Sequence, residues 1–295
     1  MALIYHYCSP YTFLQIIEKK CLWLSSTKNM NDFSEEQWFL NIVDEVLKEH
    51  ENELGGSWCD EVRRVYEENF RPSYVTCFSK NNDLLSQWRA YAENGLGVAI
   101  GFDPDVLDLD IKKTVEVNGV STESVVDKFE LHDVNYLQNK EIKENVIQAA
   151  RQWRNTEGEY HFDEESGETL NDITAGFFGM NCERLAVMHK NPTFEEEDER
   201  RLIYRNYYSM CVEPEYSLIH VGREKTLPLE TFARLKHRIS DGFLTSYFEY
   251  TFRPEAIRKI MLGPRNKFTM FDLENLLFLN NMRHAEIESS AATYR

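Results

Sequence analysis

Two apolar periods alternate irregularly along this chain, and that alternation limits its fold more than any other feature. Trp38, Phe39, Ile42, Val43, Val46 and Leu47 recur every three to four residues, which places them on one face of a helix but not of a strand. A less regular helix follows through Val62, Val65, Tyr66 and Phe70. Leu3-Ile4-Tyr5-His6-Tyr7, Cys21 to Ser25, Tyr74 to Ser79 and Gly97 to Phe102 are short β-favouring runs instead. Ser9-Pro10 sits between the first strand and the apolar face of Phe13, Leu14, Ile16 and Ile17, and reads as an N-cap with proline at the first helical position. Short strands broken irregularly by helices predict an α+β fold, with mixed or antiparallel central sheets and flanking helices.

The 295 residues read as one domain, 1–295, with a charged helical insertion or subdomain over about 110–175. Strands are expected there near Thr114–Val117 and Phe129–Tyr136, then a helix over about 140–154 and a polar loop from Thr156 to Gly167. Further on, a helix is expected over Leu170–Met188 and strands over Arg201–Tyr207, Tyr216–Val221, Leu244–Phe252 and Ile257–Leu262. Helices are expected at Leu84–Glu93, Pro228–His237 and Met270–Met282.

Charge narrows the partners. With 33 Lys and Arg against 50 Asp and Glu, the net −17 opposes generic binding to phosphate backbones. No stretch of about 18 uncharged apolar residues predicts a membrane span. The first residues lack the basic and apolar regions of a secretory leader. Six scattered cysteines without a CxxC pair then predict reduced thiols in the cytoplasm, most of them in the core.

Several motifs invite chemistry. Gly95-Leu96-Gly97-Val98-Ala99-Ile100-Gly101 follows a helix and enters a strand, whereas a dinucleotide fingerprint leaves a strand and enters a helix. It reads as a helix stop followed by close strand packing. No HExxH or Cys/His quartet predicts a metal site. His132 and Asp133 are strand neighbours on opposite faces, and His161, Asp163, Glu164 and Glu165 lie in a polar loop. Cys8 shares a strand face with His6 and reads as a core cysteine rather than a thiol–imidazole partner. Trp88 and Tyr91 read as core, and Lys190, Arg201, Arg265 and Lys267 as surface charges or ion-pair partners. The acidic run from Glu195 to Glu199 reads first as a solvated loop. At a strand entrance, however, Glu197 and Glu199 are expected on one side, where paired carboxylates can orient a sugar hydroxyl and stabilise an oxocarbenium-like centre.

An ordered set of short motifs resembles the bacterial DUF2971 family, a domain of unknown function. The set comprises Tyr5-His6-Tyr7 with Ser9; Leu22 to Ser25; Asn31-Asp32 with Glu35; Cys77-Phe78-Ser79; Gln87 to Ala92; Gly97 to Phe102; His189 to Phe194 with Glu197 to Arg201; and Ile260 to Gly263. Arg200 departs from the aromatic usual at that point of the family, which predicts a side chain that is not buried. The order of elements is also similar to the ADP-ribosyltransferase fold. That resemblance implies NAD as substrate, with catalytic Glu199, Glu197 and His6, and with His6, Ser9, Trp23, Ser25, Tyr7 and Arg201 holding NAD; Tyr5 is a further stacking candidate.

The reading that follows is an NAD-cleaving ADP-ribosyltransferase or NAD glycohydrolase, a bacterial toxin or anti-phage effector. Its acceptor is a protein or a nucleic acid, with a protein regulator and no membrane partner. A fixed carboxylate stabilises the charge that develops on the sugar as nicotinamide leaves. The alternative is a non-catalytic module that binds a protein or ligand, to which abundant Tyr and Trp are suited. A metal-dependent nuclease using Asp32, Glu35 and the acidic run is the third.

Overall fold

β1 (Ile4–Cys8) ends where a helix is capped. Ser9 Oγ accepts the Thr12 backbone N–H at 3.0 Å and Pro10 opens α1 (Pro10–Lys19), the device expected from Ser9-Pro10. Lys20 closes α1 in the left-handed conformation, φ 52°, and delivers the chain to β2 (Cys21–Ser26). The computed structural model describes residues 2–29, 33–68, 73–117, 120–156, 169–205, 218–221, 225–228, 235–240 and 242–292. The chain divides into two compact units, Met1–Asn29 with Ser73–Asp133 and Glu197–Arg295, and Met30–Pro72 with Val134–Glu196. About 110–175 is shared between them, up to Asp133 in the first and from Val134 in the second.

The first unit is built on a ten-stranded sheet. Its strands besides β1 and β2 are β3 (Tyr74–Ser79), β4 (Val98–Phe102), β7 (Glu130–Asp133), β8 (Glu199–Tyr204), β11 (Lys236–Ser240), β12 (Phe243–Thr251), β13 (Ile257–Leu262) and β14 (Glu286–Ser289). The order is β11-β12-β2-β3-β1-β4-β13-β14, with β8 on β3 and β7 on β8. Every pair is antiparallel except β13–β14, so the fold is α+β with a mixed, mostly antiparallel sheet. β5 (Asp110–Val117) and β6 (Val120–Lys128) form a separate hairpin, and β9 (Leu218–Val221) pairs with β10 (Lys225–Pro228). α5 (Leu85–Ala90) and α8 (Met270–Leu279) complete this unit.

One face of the sheet carries the main core: Ile4, Leu22, Leu24, Phe78, Ile100, Phe102, Leu202, Tyr204, Phe248 and Tyr250, closed by Phe13, Ile16 and Ile17 of α1. These positions alternate along their strands, as a strand with one core face requires.

The glycines work as expected. Gly95 takes φ 83° at the end of a short 3₁₀ turn. A methyl group on Gly97 would lie 2.0 Å from the Cys8 carbonyl oxygen, and one on Gly263 2.4 Å from that of Gly95. Only glycine lets these backbones approach so closely.

The second unit is helical among its described residues. It holds α2 (Phe33–Glu49), α3 (Glu51–Leu54), α4 (Gly56–Glu68), α6 (Asn139–Arg154) and α7 (Leu170–Ala186). Phe39, Ile42, Val43, Val46 and Leu47 pack with Trp58, Val62, Tyr66, Ile142 and Phe178, as their period predicts. Trp58 Nε1 donates to Thr174 Oγ1 at 3.1 Å, so the buried indole N–H is paired.

One expected element is corrected. Lys236 and His237 stand in β11, not in a helix over Pro228–His237, because pairing with β12 satisfies their backbone. Pro228 ends β10, and residues 229–234 lie outside the described residues. Phe70, Tyr216 and most of the Thr156–Gly167 loop also lie outside them. No helix among the described residues is long and apolar enough to cross a membrane.

Candidate functional site

Sheet register divides the expected site residues between two faces. Tyr5 stands opposite Ser79, and Ser79 opposite Glu199, so these three share a face. Cys77 stands opposite Arg201, and Val75 opposite Ser25, which adds those residues to the same face. By strand alternation Tyr7 and Trp23 join them. His6 falls on the other side, with Ile4 and Cys8. The structure therefore brings Glu199, Arg201, Trp23, Ser25 and Tyr7 to one face and sets His6 apart from them.

His6 has a structural setting. β8 pairs with β3 along its whole length, so β2 and β1 share the other edge. β2 holds only Tyr74 and Val75, and β1 only Ser79. Between them the backbone of residues 76–78 faces a fork in the sheet. Side chains fill it: His6 Nδ1–H donates to the Cys77 carbonyl at 3.0 Å, and Thr76 Oγ1 donates to the Trp23 carbonyl at 2.6 Å. The His6 ring meets Phe78 edge-on at 5.9 Å, and burial lowers its pKa from 6.5 despite the carbonyl bond. Cys8 is core, 3% exposed, and burial pushes its thiol pKa up.

Glu199 and Arg201 form a buried pair on β8, 5% and 4% exposed. Arg201 Nε donates to Glu199 Oε1 at 2.7 Å and Nη2 to Oε2 at 3.1 Å, a two-point contact. Spacing i, i+2 on one strand face brings them together. Glu197 is not part of this strand. It ends a 3₁₀ turn, Pro192–Glu197, and Asp198 takes φ 42°, so the alternation expected to aim Glu197 and Glu199 together is broken at Asp198. The Glu197 carbonyl accepts from Ser79 Oγ at 2.7 Å.

Ser9 and Tyr7 are engaged in the fold. Ser9 caps α1. The Tyr7 hydroxyl donates to the Asn81 carbonyl at 2.9 Å and accepts the Leu84 N–H at 3.1 Å, while its ring meets Trp88 edge-on at 4.7 Å. Trp88 is core, as expected, and its Nε1 donates to Asp83 at 2.7 Å; Tyr91 is instead 44% exposed. Lys190 is buried, 2% exposed and 4.9 Å from the Phe194 ring centre, which overturns the surface-charge alternative of its two readings. Arg265 and Lys267 are exposed.

Trp23 sits at the centre of a different cluster. Its half-buried indole lies 4.6 Å from Tyr247, with the Arg238 guanidinium 5.2 Å and Lys19 Nζ 5.9 Å from its ring centre. Arg238 Nη2 also donates to Ser25 Oγ at 2.9 Å. Two cations, two aromatic rings and a hydroxyl thus meet on three adjacent strands and the end of α1.

Among the described residues, no group of three or more His, Cys, Asp or Glu is placed to hold a metal ion. Asp32 and the side chain of Glu35 lie outside the described residues, as do His161, Asp163, Glu164 and Glu165.

The motifs Gln87–Ala92, Gly97–Phe102 and His189–Arg201 now have places in order, on α5, β4 and the approach to β8. Residues 87–202 match the DUF2971 family, described as a protein of unknown function. The DUF2971 resemblance holds over that stretch. No curated protein and no solved structure matches the chain. Arg200, where the family resemblance breaks, is 30% exposed at its side chain and 3.3 Å from Asp133, in keeping with its polar character. Trp23, Ser25, Arg238 and Tyr247 lie outside the DUF2971 match. Sequence reasoning missed Arg238 and Tyr247 as partners of Trp23. The signal was present in Ser240-Asp241-Gly242-Phe243, an Asp-Gly pair that commonly joins a hairpin.

Proposed function

We propose that the chain is a ligand-binding module whose site is the Trp23, Ser25, Arg238 and Tyr247 cluster. One observation carries this reading: Arg238 reaches Ser25 while its guanidinium lies over a half-buried indole. On a chain of net charge −17, this cluster with Lys19 is a local preference for an anion beside a flat ring. A nucleotide offers both groups. Titration with AMP, ADP-ribose and NAD, followed by tryptophan fluorescence and thermal shift, tests it. Binding is expected below about 1 mM and weakened about tenfold by Arg238→Ala, the loss of one charged contact. Absence of binding by the wild type up to about 10 mM overturns the reading.

A second reading keeps the NAD-cleaving chemistry of an ADP-ribosyltransferase or NAD glycohydrolase. It is favoured by Trp23, Ser25, Glu199 and Arg201 sharing one sheet face. In this reading NAD is the substrate and Glu199 faces the developing sugar charge, without His6. The acceptor is a protein, a nucleic acid or water, and the setting is a toxin or defence role under a protein regulator. Nicotinamide release by the wild type, lost in Trp23→Ala, supports it; binding of NAD without release leaves the module reading in its place. We also place the chain in the cytoplasm, a reading supported by Cys8, Cys21, Cys59 and Cys182, which are not joined in disulfides.

A further inference from the structure

Beside the Trp23 cluster the same sheet face carries a carboxylate and an uncommitted phenol. Trp23 stands directly opposite Glu249, and Tyr247 stands between Ser25 on β2 and Lys236 on β11. Tyr247 and Glu249 are two apart on β12, so both side chains share the face of Trp23 and Ser25. Tyr247 is 8% exposed, its ring packed on Trp23. Among the described residues nothing bonds its hydroxyl, which is left to water or a ligand. A tyrosine buried to this extent usually has a protein partner at its oxygen. Glu249, 33% exposed at its side chain, is held by Lys236, whose Nζ donates to Oε2.

The ion pair with Lys236 neutralises Glu249, so Lys19 and Arg238 keep their attraction for a phosphate. A carboxylate only accepts hydrogen bonds, whereas a phenol both donates and accepts. Side by side they match a vicinal diol, whose hydroxyls also do both. In a nucleotide that diol belongs to the ribose, which is joined to the base. Directly opposed residues on paired strands stand about 5 Å apart at Cβ, so a base lying against Trp23 brings its sugar to Glu249. We propose, resting on the nucleotide-binding reading above, that the site takes ribonucleotides in preference to nucleotides without the diol. Glu249 accepts from one ribose hydroxyl and the Tyr247 hydroxyl bonds the other. Lys236 is a positioning residue that fixes the carboxylate. The bond to Glu249 is charge-assisted and so the stronger of the two.

Calorimetric titration of the full chain with AMP and with dideoxy-AMP, which keeps base and phosphate but lacks both ribose hydroxyls, tests this. AMP should bind at least about tenfold tighter than dideoxy-AMP. Glu249→Ala should bring that ratio to within about threefold, and Tyr247→Phe should lower it about threefold. Lys236→Met should also lower it, and Lys236→Arg should restore it. A changed surface charge acts on both nucleotides alike, so the ratio reports the sugar contact alone. Melting temperatures should stay within about 2 °C of the wild type, since Tyr247→Phe keeps the ring on Trp23 and the other substitutions are at partly exposed side chains. Equal affinity of the wild type for the two nucleotides overturns the proposal and leaves the binding module standing. A ratio unmoved by both Glu249→Ala and Tyr247→Phe overturns it as well. If neither nucleotide binds up to about 10 mM, the binding reading itself fails and this proposal with it.

Discussion

Replacing Glu199 by Gln keeps the size and shape of the side chain but removes the anion that Arg201 grips at two points. Arg201 is 4% exposed, so water cannot take the place of the lost carboxylate. Two unit charges about 4 Å apart attract by about 4 kcal/mol at an effective dielectric constant of 20. Breaking a buried pair by removing one partner costs about 3–5 kcal/mol, for the same reason. Glu199→Gln should therefore lower the unfolding free energy by about 3 kcal/mol or more, and the melting temperature by about 10 °C. Arg201→Met should do the same. The double variant Glu199→Leu with Arg201→Met, which removes both charges together, should return to within about 1 kcal/mol of the wild type. Urea unfolding of all four proteins measures these differences. If Glu199→Gln is as stable as the wild type, or the double variant is worse than either single one, the pair does not hold the sheet and the reasoning fails. The result also bears on catalysis, since loss of activity in Glu199→Gln counts as chemical only if it exceeds the folded fraction lost.

Three further outcomes are expected. Gly97→Ala should cost roughly 3 kcal/mol or more, because its methyl meets the Cys8 carbonyl at 2.0 Å, and a melting temperature within about 2 °C of the wild type would contradict this. Iodoacetamide at pH 8 should alkylate partly exposed Cys77 at least about tenfold faster than Cys8 and Cys182, whose buried thiols have raised pKa values; equal rates by mass spectrometry would refute it. The folded-state pKa of His6 is lowered below 6.5, so its contribution is present above that pH and lost as the pH falls through the window beneath it. His6→Asn should flatten the fall of stability between pH 7 and 5 by up to about 1.4 kcal/mol per pH unit, as read from urea midpoints.

Local patterns were the legible part. The Ser9-Pro10 cap, the helical period from Trp38 to Leu47, the strands Tyr74–Ser79 and Ile257–Leu262 and the glycine packing at Gly95 and Gly97 each depend on neighbours in sequence or on a backbone preference. Sites were less legible, because a site depends on which strands pair. Glu197 and Glu199 looked alike until Asp198 turned left-handed between them. Lys190 reads from sequence as a surface charge or an ion-pair partner, and nothing in His189-Lys190-Asn191 signals that it is buried.

The sequence by itself determined the class: two periods, their capping residues and their breakers are local, and local sterics and hydrogen bonding decide them. Only the tertiary structure decided the faces. Pairing β3 with β8 on one edge and with both β1 and β2 on the other sent Glu199 and Trp23 to one side and His6 to the fork on the opposite side. The physical reason is the two-residue period of a strand, which makes each side chain's surroundings a consequence of register between segments far apart in the chain.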